Sequence, residues 1–174
     1  MSDDTDRGPV RAAPSLRPAA PADANVLVEL IGELAAFEQL GHLMQVTPEA
    51  LATHLFGPRP GAEAVLAEVE GAIAGFALFF SSFSTFLGRP GLYLEDLYVR
   101  PACRSRGVGK ALLQHLGALA MARGCGRFEW SVLDWNANAI AFYEGMGATV
   151  LPDWRICRVT GDALQRLGSA APPG

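Results

Sequence analysis

The spacing of apolar residues along the chain predicts an ordered series of helices and strands. Residues 22–40 carry apolar side chains at helical spacing, and Asp23 stands where an N-cap belongs. Thr47 and Pro48, a capping residue followed by proline, predict the start of a second, short helix. The shorter apolar runs predict strands over 15–18, 62–70, 72–83 and 91–99, with a hairpin turn at Gly71.

The second half of the chain alternates between helical and strand patterns. A helix follows Gly109 and ends at Gly124, and the segments after it predict a strand over 127–133, a helix over 137–146 and a final strand over 148–159. The apolar stripe of the helix after Gly109 is predicted to consist of Val108, Ala111, Leu112, His115, Leu116 and Leu119. Antiparallel hairpins followed by a βαβ unit predict an α/β fold, with a mixed sheet and helices on both faces.

Length and composition predict a single domain. A chain of 174 residues, 50% apolar and 18% charged, has a globular composition and is long enough for one compact core but short for two. The polar and proline-rich ends predict disordered tails over 1–12 and 169–174, which leaves 13–168 as the domain. No secretory signal is apparent, and the longest apolar run, over 73–80, is too short to span a bilayer.

Charge and cysteine usage exclude several classes of function. A net charge of −4 offers no electrostatic footprint for binding nucleic acid. The cysteines Cys103, Cys125 and Cys157 are odd in number and lack metal-ligand spacing, so we expect free thiols in a reducing cytoplasm. The histidines are scattered as well, and no zinc site or other metal is expected.

The junction between the strand over 91–99 and the following helix carries a candidate anion site. The first N–H groups of a helix have no partner within it and carry a partial positive charge. Gly107 and Gly109 let the main chain approach an anion closely at this point, although a lone Gly-x-Gly is more often an ordinary tight turn. The segment fits neither the Walker loop nor the dinucleotide-binding glycine pattern, which leaves a compact pyrophosphate cradle flanked by arginines.

The segment Arg104-Ser105-Arg106-Gly107-Val108-Gly109 resembles the Arg/Gln-x-x-Gly-x-Gly/Ala signature of the GNAT acetyltransferase superfamily. The strand from Leu92 to Val99 and the stretch from Asn136 to Ala148 are similar to that family too, and the similarity covers about residues 15–167. The branch it resembles most is that of the diamine (spermidine/spermine) and thialysine N-acetyltransferases. The resemblance implies a strongly twisted, mostly antiparallel sheet with a splayed central strand pair, acetyl-CoA as co-substrate, and a homodimer.

The same resemblance implies roles for individual residues. Catalysis falls to Glu95 and to Tyr143, which sits beside the thioester sulfur. The acetyl-CoA site consists of Leu97, Tyr98, Val99, Arg104, Ser105, Arg106, Gly107, Val108, Gly109, Lys110, Asn136, Ala137, Asn138, Ala139 and Tyr143. The amine is contacted by Phe37, Glu38, Phe86, Glu95, Asp96, Glu129, Trp130, Ser131 and Asp153.

These residue types suit attack of an amine on a thioester. An alkylammonium has a pKa of about 10.4 and must lose a proton before it attacks, which a carboxylate such as Glu95 can accept directly or through a water. A backbone N–H such as that of Leu97 can stabilise the developing oxyanion, and Tyr143 can protonate the leaving thiolate. A covalent intermediate on Cys103 is disfavoured because no histidine lies in a recognisable partner motif.

Several structural interpretations stay open beside the catalytic ones. Adjacent acids in a regular strand point to opposite faces, so at most one of Glu95 and Asp96 faces the substrate unless a bulge intervenes. Tyr143 can be a core aromatic of an amphipathic helix, and Asn136 can be a helix N-cap. Trp130 is as readily a packing residue as a binding platform.

The acceptor also stays open. Phe37 and Phe86 replace the hydroxylated aromatic and the tryptophan that the diamine enzymes lead us to expect, which is compatible with an anionic amine pocket but speaks against spermidine. Lysine-like amines are the other small acceptors of this branch. The alternatives are a protein amine, an antibiotic, or a module that senses coenzyme A without turnover.

Overall fold

The computed structural model describes residues 12–170 and contains five strands and five α-helices within that range. The elements are β1 (Ser15–Pro18), α1 (Ala24–Phe37), α2 (Pro48–Phe56), β2 (Glu63–Val69), β3 (Ala72–Ser84), β4 (Arg89–Val99), α3 (Val108–Ala122), β5 (Arg127–Trp130), α4 (Ala137–Gly145) and α5 (Gly161–Ser169). The described residues up to Ser131 form one compact unit and those from Val132 form a second. The single domain predicted over 13–168 stays a prediction, and the predicted tails lie almost entirely outside the described residues.

The five strands form one sheet in the order in which they occur along the chain. β1 to β4 are antiparallel neighbours, and β5 is parallel to β4 because α3 returns the chain to the starting edge. The β2–β3 turn is made by Glu70 and Gly71, both at positive φ (55° and 79°), as a tight hairpin requires. The predicted α/β fold with hairpins first and a βαβ unit second is therefore confirmed.

Apolar side chains on both faces of the sheet are covered by helices. On one face, α1 and α2 pack on the sheet through a cluster of Leu27, Leu30, Leu34, Leu51, Leu55, Ala64, Leu66, Phe76, Leu78 and Tyr98. On the other face, α3 packs on β2, β3 and β4 with Val108, Leu112 and Leu116 buried. Each buried leucine contributes roughly 1.5–3 kcal/mol, so these two faces supply much of the stability of the first unit.

Two details of the helices differ from the sequence expectation. Asp23 occupies the N-cap position of α1 as predicted, but its side chain makes no capping hydrogen bond to that helix. Residues 21–23 form a 3-10 turn first, and the Asp23 carboxylate accepts the Ala20 N–H at 2.7 Å and pairs with Arg17 at 2.7 Å. His115 is exposed, and the prediction that it belongs to the stripe of α3 is wrong. The buried stripe follows i, i+4 spacing from Val108 to Ala120, and His115 lies about 100° around the helix from Leu116.

The end of the chain differs most from the prediction. Residues 148–159 form no strand, because no other strand of the described chain pairs with them, and their apolar side chains Val150, Leu151, Trp154, Ile156 and Val159 are exposed. β5 stops at Trp130 rather than at 133, and the short helix α5 was not predicted.

Thr47 caps α2 as predicted, accepting the Ala50 N–H at 3.2 Å. Within residues 12–170, no helix combines the length and apolarity needed to cross a bilayer.

Candidate active site

The pairing of β4 with β5 ends before β4 does. The last paired residues are Leu94 and Trp130, and β4 continues through Val99 with β3 as its one paired neighbour among the described strands. The structure therefore contains an opening on the β5 side of β4, next to Glu95 and the residues that follow it. This is the splayed strand pair expected from the sequence.

The main chain of β4 directs hydrogen-bonding groups into this opening. The Arg100 backbone N–H donates to the Ala74 carbonyl of β3, and the Tyr98 carbonyl lies against Gly75. The backbone N–H and C=O groups of residues 98 and 100 therefore point toward β3. Because alternate residues of a strand direct their backbone groups to opposite sides, the backbone N–H and C=O groups of Leu97 and Val99 point away from β3. The Val99 carbonyl accepts a hydrogen bond from Arg104 Nε at 3.0 Å on that side.

The loop from β4 to α3 has the backbone conformation of an anion cradle. Ser105 and Gly107 are both left-handed, with φ of 58° and 79°, and a Cβ on Gly107 would meet open space. The first intrahelical bond of α3 joins the Ala111 N–H to the Gly107 carbonyl, so the N–H groups of residues 108–110 face the loop. Arg106 is held by Glu70 at 2.7 Å.

A β-bulge in β4 places the two adjacent acids together. Leu78 of β3 pairs with Asp96 and Phe79 pairs with Leu94, which leaves Glu95 without a partner opposite it. The alternation of the strand is interrupted there, and both Glu95 and Asp96 line the same cleft. In a regular strand at most one of the two adjacent acids could face the substrate, but the bulge allows both to do so.

The cleft lies between α1, the loop that follows it, and β4, and has a volume of about 370 Å³. Its acidic residues are Glu38, Glu95 and Asp96, and none of them forms an ion pair with another described residue. Its apolar wall consists of Ile31, Leu34, Ala35, Leu40, Leu43, Met44 and Val46. A cleft of this kind suits a cation on an aliphatic stem.

Other predicted amine contacts are dispersed. Phe37 ends α1 beside Glu38, with its ring 4.9 Å from the Arg104 guanidinium carbon. Glu129 is paired with Arg127 at 2.7 Å, the Trp130 ring packs on Phe128, and Ser131 Oγ lies 2.8 Å from the Tyr93 hydroxyl. Phe86 is 97% exposed in the turn between β3 and β4, and the ladder pairs from Phe79–Leu94 to Ser84–Arg89 separate that turn from the bulge.

The remaining predicted site residues belong to the second unit. Asn136 caps α4, its side chain accepting the Ala139 N–H at 3.2 Å, so its structural interpretation is confirmed. Tyr143 lies on α4 with its ring against Phe142, and Asp153 lies in the exposed segment before α5. Among the described residues no group of histidine, cysteine or acidic side chains has a metal-binding arrangement, and the three cysteines form no disulfide.

Residues 29–148 match the model of the acetyltransferase (GNAT) family. The chain belongs to the GNAT acetyltransferase family. The L-ornithine N5-acetyltransferase NATA1 of Arabidopsis thaliana is 36% identical, with 87% of this chain and 86% of the relative aligned. The thialysine N-epsilon-acetyltransferase of Mus musculus is 34% identical over 90% of this chain and 98% of its own. The resemblance seen in the sequence is thereby confirmed, and the protein is an acetyltransferase.

A solved structure supports the fold as well. An integron cassette protein from the mobile metagenome of V. cholerae superimposes with a TM-score of 0.77, covering 91% of this chain and 99% of that one. Its sequence is 24% identical, so the likeness concerns the fold alone. The overall fold of this chain therefore recurs in a solved structure.

Burial and mutual repulsion shift the acidity of this acetyltransferase's cleft. Burial, with the charges of Glu95 and Glu38 beside it, raises the pKa of Asp96 to about 6. Burial also raises the pKa of Glu38. Like charges in a partly desolvated cleft disfavour ionisation. A bound cation would favour the ionised carboxylates and would therefore lower the pKa of both Asp96 and Glu38.

We expect Asp96→Asn to stabilise the protein at pH 7 by about 1–2 kcal/mol and to leave its stability at pH 4 nearly unchanged. The folded-state pKa lies above the unfolded value, so the native state binds the extra proton and loses stability as pH rises through about 4 to 6. Urea unfolding at both pH values measures the difference, with exposed Asp134→Asn as control. An equal gain at pH 4 and pH 7 would point to packing rather than charge.

The apolar wall of the cleft was not predicted from the sequence. Leu40 ends the stretch predicted as helical, and Leu43, Met44 and Val46 follow it in a segment with no regular spacing to interpret. The number of apolar residues in this loop was the one available signal. Apolar side chains in a loop expose surface that a folded protein normally covers, which indicates a binding surface. Gln39, at a φ of 61°, turns the chain so that this loop folds back along α1.

Proposed function

We propose that the protein transfers an acetyl group from acetyl-CoA to a primary amine of a small lysine-like amine or polyamine. The observation that carries the proposal is the cleft in which Glu38, Glu95 and Asp96 meet an apolar wall, on the segment of β4 that opens away from β5. The acids attract the ammonium group, and the wall accepts its methylene stem. A small acceptor suits the volume of about 370 Å³ better than an extended peptide does.

The residues present fit acetyl-CoA. The left-handed Ser105 and Gly107 and the free N–H groups at the start of α3 suit a pyrophosphate, with Arg104, Arg106 and Lys110 on the same segment. The backbone of Leu97, Tyr98 and Val99 would hold the acetyl and pantetheine end along the open edge of β4. Asn136 to Ala139 would contact the rest of the arm.

The bound thioester supplies an activated acyl group, and the chain's own residues supply the proton transfers. Glu95 accepts the proton that the ammonium loses, directly or through a water. The amine nitrogen then bonds to the acetyl carbon as the carbon–sulfur bond breaks, while the Leu97 N–H donates to the oxygen that becomes negative. Tyr143 gives its proton to the departing sulfur and regains one, through solvent, as the newly acylated nitrogen loses its second proton. Because the amine attacks the thioester itself, the acyl group passes directly and no covalent enzyme intermediate forms.

The relatives support the choice of acceptor. The aligned enzymes are named for ornithine and thialysine, both of which carry a primary amine at the end of a short aliphatic stem. Glu95 and Asp96 would receive the reacting amine, and Glu38 a second positive charge.

The homodimer and the cytoplasmic location are also parts of the proposal. Leu151, Trp154 and Ile156 are exposed in a segment without a strand partner in the described chain, and their burial by a second copy would remove apolar surface from water. Analytical ultracentrifugation of the full chain tests the dimer. A monomer at micromolar concentration contradicts it.

Release of free thiol from acetyl-CoA tests the reaction. With spermidine, spermine, putrescine, thialysine, ornithine, lysine and a histone-tail peptide as acceptors, we expect one small amine to dominate. Tyr143→Phe should lower its kcat by about 10-fold or more, with little change in the KM of the amine. Glu144→Gln, an exposed neighbour on the same helix, is the control. Absence of acetylated product from every amine would overturn the proposed function.

A further inference from the structure

Arg100, the first residue after β4, joins the end of that strand to β3 and to α1. Its backbone N–H donates to the Ala74 carbonyl, and its Nη1 donates to the Ile73 carbonyl at 3.2 Å. Its Nε and Nη2 lie 3.0 Å and 2.9 Å from Glu33 Oε1, and Nη2 also pairs with Glu29. One guanidinium therefore holds two carboxylates of α1 against the end of the sheet.

The charges of α1 are divided between this anchor and the acidic cleft. Glu29 and Glu33 are one helical turn apart and would repel each other without a cation between them. Glu38, at the end of the same helix, makes no ion pair with another residue in 12–170. The helix thus carries two carboxylates neutralised by Arg100 and, five residues beyond Glu33, one carboxylate left for a ligand.

Two pairs of neighbouring residues define how α1 lies along β4. Burial raises the pKa of the Tyr98 hydroxyl, and the charge of Glu33 beside it adds to this effect. Burial raises the pKa of Asp96 as well, and the charges of Glu95 and Glu38 contribute. From Glu33 to Glu38 the helix advances about 7.5 Å, and from Tyr98 to Asp96 the strand advances about 6.6 Å. The anchor at Glu33 therefore fixes which residue of α1 stands beside Asp96.

The anchored carboxylate and the cleft carboxylate lie on opposite flanks of α1. At about 100° per residue, Glu33 lies about 60° to one side of the buried Leu30, and Glu38 lies about 80° to the other side. A rotation of the helix that carries Glu38 away from Asp96 must also move Glu33 relative to Arg100. The ion pair therefore resists both sliding and rotation of α1, which the apolar contacts of the core permit more readily.

We infer that Arg100 is a positioning residue, which fixes α1 along β4 and so holds Glu38 beside Asp96 to receive the second positive charge of the acceptor. The inference rests on the proposed function and deepens it, because recognition of that second charge then depends on a residue outside the cleft lining. The backbone groups of Arg100 point toward β3 and away from the edge proposed to hold acetyl-CoA. Loss of its side chain should therefore weaken binding of the amine and leave the acetyl-transfer step intact.

A double-mutant cycle in the full-length enzyme tests this inference. The acceptor is whichever of L-ornithine, thialysine and putrescine the wild type uses best, since each carries two ammonium groups. Arg100→Met should raise the KM of the amine by about 5–20-fold and leave kcat and the KM of acetyl-CoA within about 3-fold. Glu38→Gln should raise the KM of the amine in the wild type but change it by less than about 2-fold in the Arg100→Met background, because Glu38 is already displaced there.

The control variants separate positioning from a general loss of stability. Arg123→Met is the matched control, because Arg123 pairs with Glu63 at 2.6 and 2.7 Å at the end of α3, on the other face of the sheet. It should leave the KM of the amine within about 3-fold. Arg100→Lys should restore part of the amine binding, and Glu33→Gln, which breaks the pair from the other side, should raise the same KM if Arg100→Met does not fold.

Three results would overturn the inference. They are an amine KM in Arg100→Met or Glu33→Gln that equals the wild-type value, an equal rise in Arg123→Met, and independent, multiplicative effects of Arg100→Met and Glu38→Gln. Absence of thiol release from the wild-type enzyme with every amine would instead overturn the proposed function.

Discussion

Replacing Glu95 by glutamine should lower kcat/KM for the amine by about 10²–10⁴-fold while leaving the KM of acetyl-CoA nearly unchanged. Glutamine retains the shape of the side chain but cannot accept the ammonium proton. Glu95 occupies the bulge of β4, so its carboxylate reaches the cleft beside Asp96. Initial rates of thiol release over a range of amine concentrations measure the effect.

The pH profile distinguishes loss of a base from loss of attraction alone. The charge of Glu95 is one of the causes that raise the pKa of Asp96, so Glu95→Gln should also move any titration of Asp96 to lower pH.

Glu38→Gln should raise the KM of the amine with little change in kcat, because it removes attraction without removing the base. Glu49→Gln, at an exposed position of α2, is the control. A Glu95→Gln variant within about 3-fold of wild type would assign the base elsewhere.

The fold was accessible from the sequence wherever local chemistry determines it. Gly71 and its hairpin, the Thr47 cap and the left-handed Gly107 before α3 all depend on residues next to one another in the chain. The final strand was predicted from an apolar pattern that gave no information about a partner strand. Residues 148–159 carry the pattern but pair with no strand of the described chain.

The site was accessible only in part, for a related reason. The motif from Arg104 to Gly109 identifies a backbone conformation, and the acidic pair identifies a charge, both of which belong to single segments. The bulge at Glu95 arises from the register of β4 against β3, and no residue type marks it. The position of the Arg104 side chain against Phe37 joins residues far apart in sequence, which spacing alone does not reveal.

Gly75→Ala should lower the free energy of unfolding by about 3 kcal/mol or more and impair binding of acetyl-CoA. Gly75 is buried opposite Val99, and a Cβ there would lie 2.3 Å from the Tyr98 carbonyl oxygen and 3.1 Å from the Val99 Cα. These atoms are main chain, so the clash is relieved only by moving β4 away from β3. That movement displaces Leu97 and Val99 at the open edge proposed to hold the acetyl and pantetheine end.

Urea unfolding and the KM of acetyl-CoA measure the two effects of Gly75→Ala, and Gly117→Ala is a matched control. Gly117 lies within α3, and an added Cβ there meets nothing within 4 Å, so alanine should stabilise the helix by about 0.5–1 kcal/mol. Replacing glycine by alanine is thus expected to lower the free energy of unfolding at position 75 and to raise it at position 117. If Gly75→Ala were as stable as wild type, β3 and β4 would have to separate without cost. The close approach that fixes the edge of β4 would then be unnecessary for the fold.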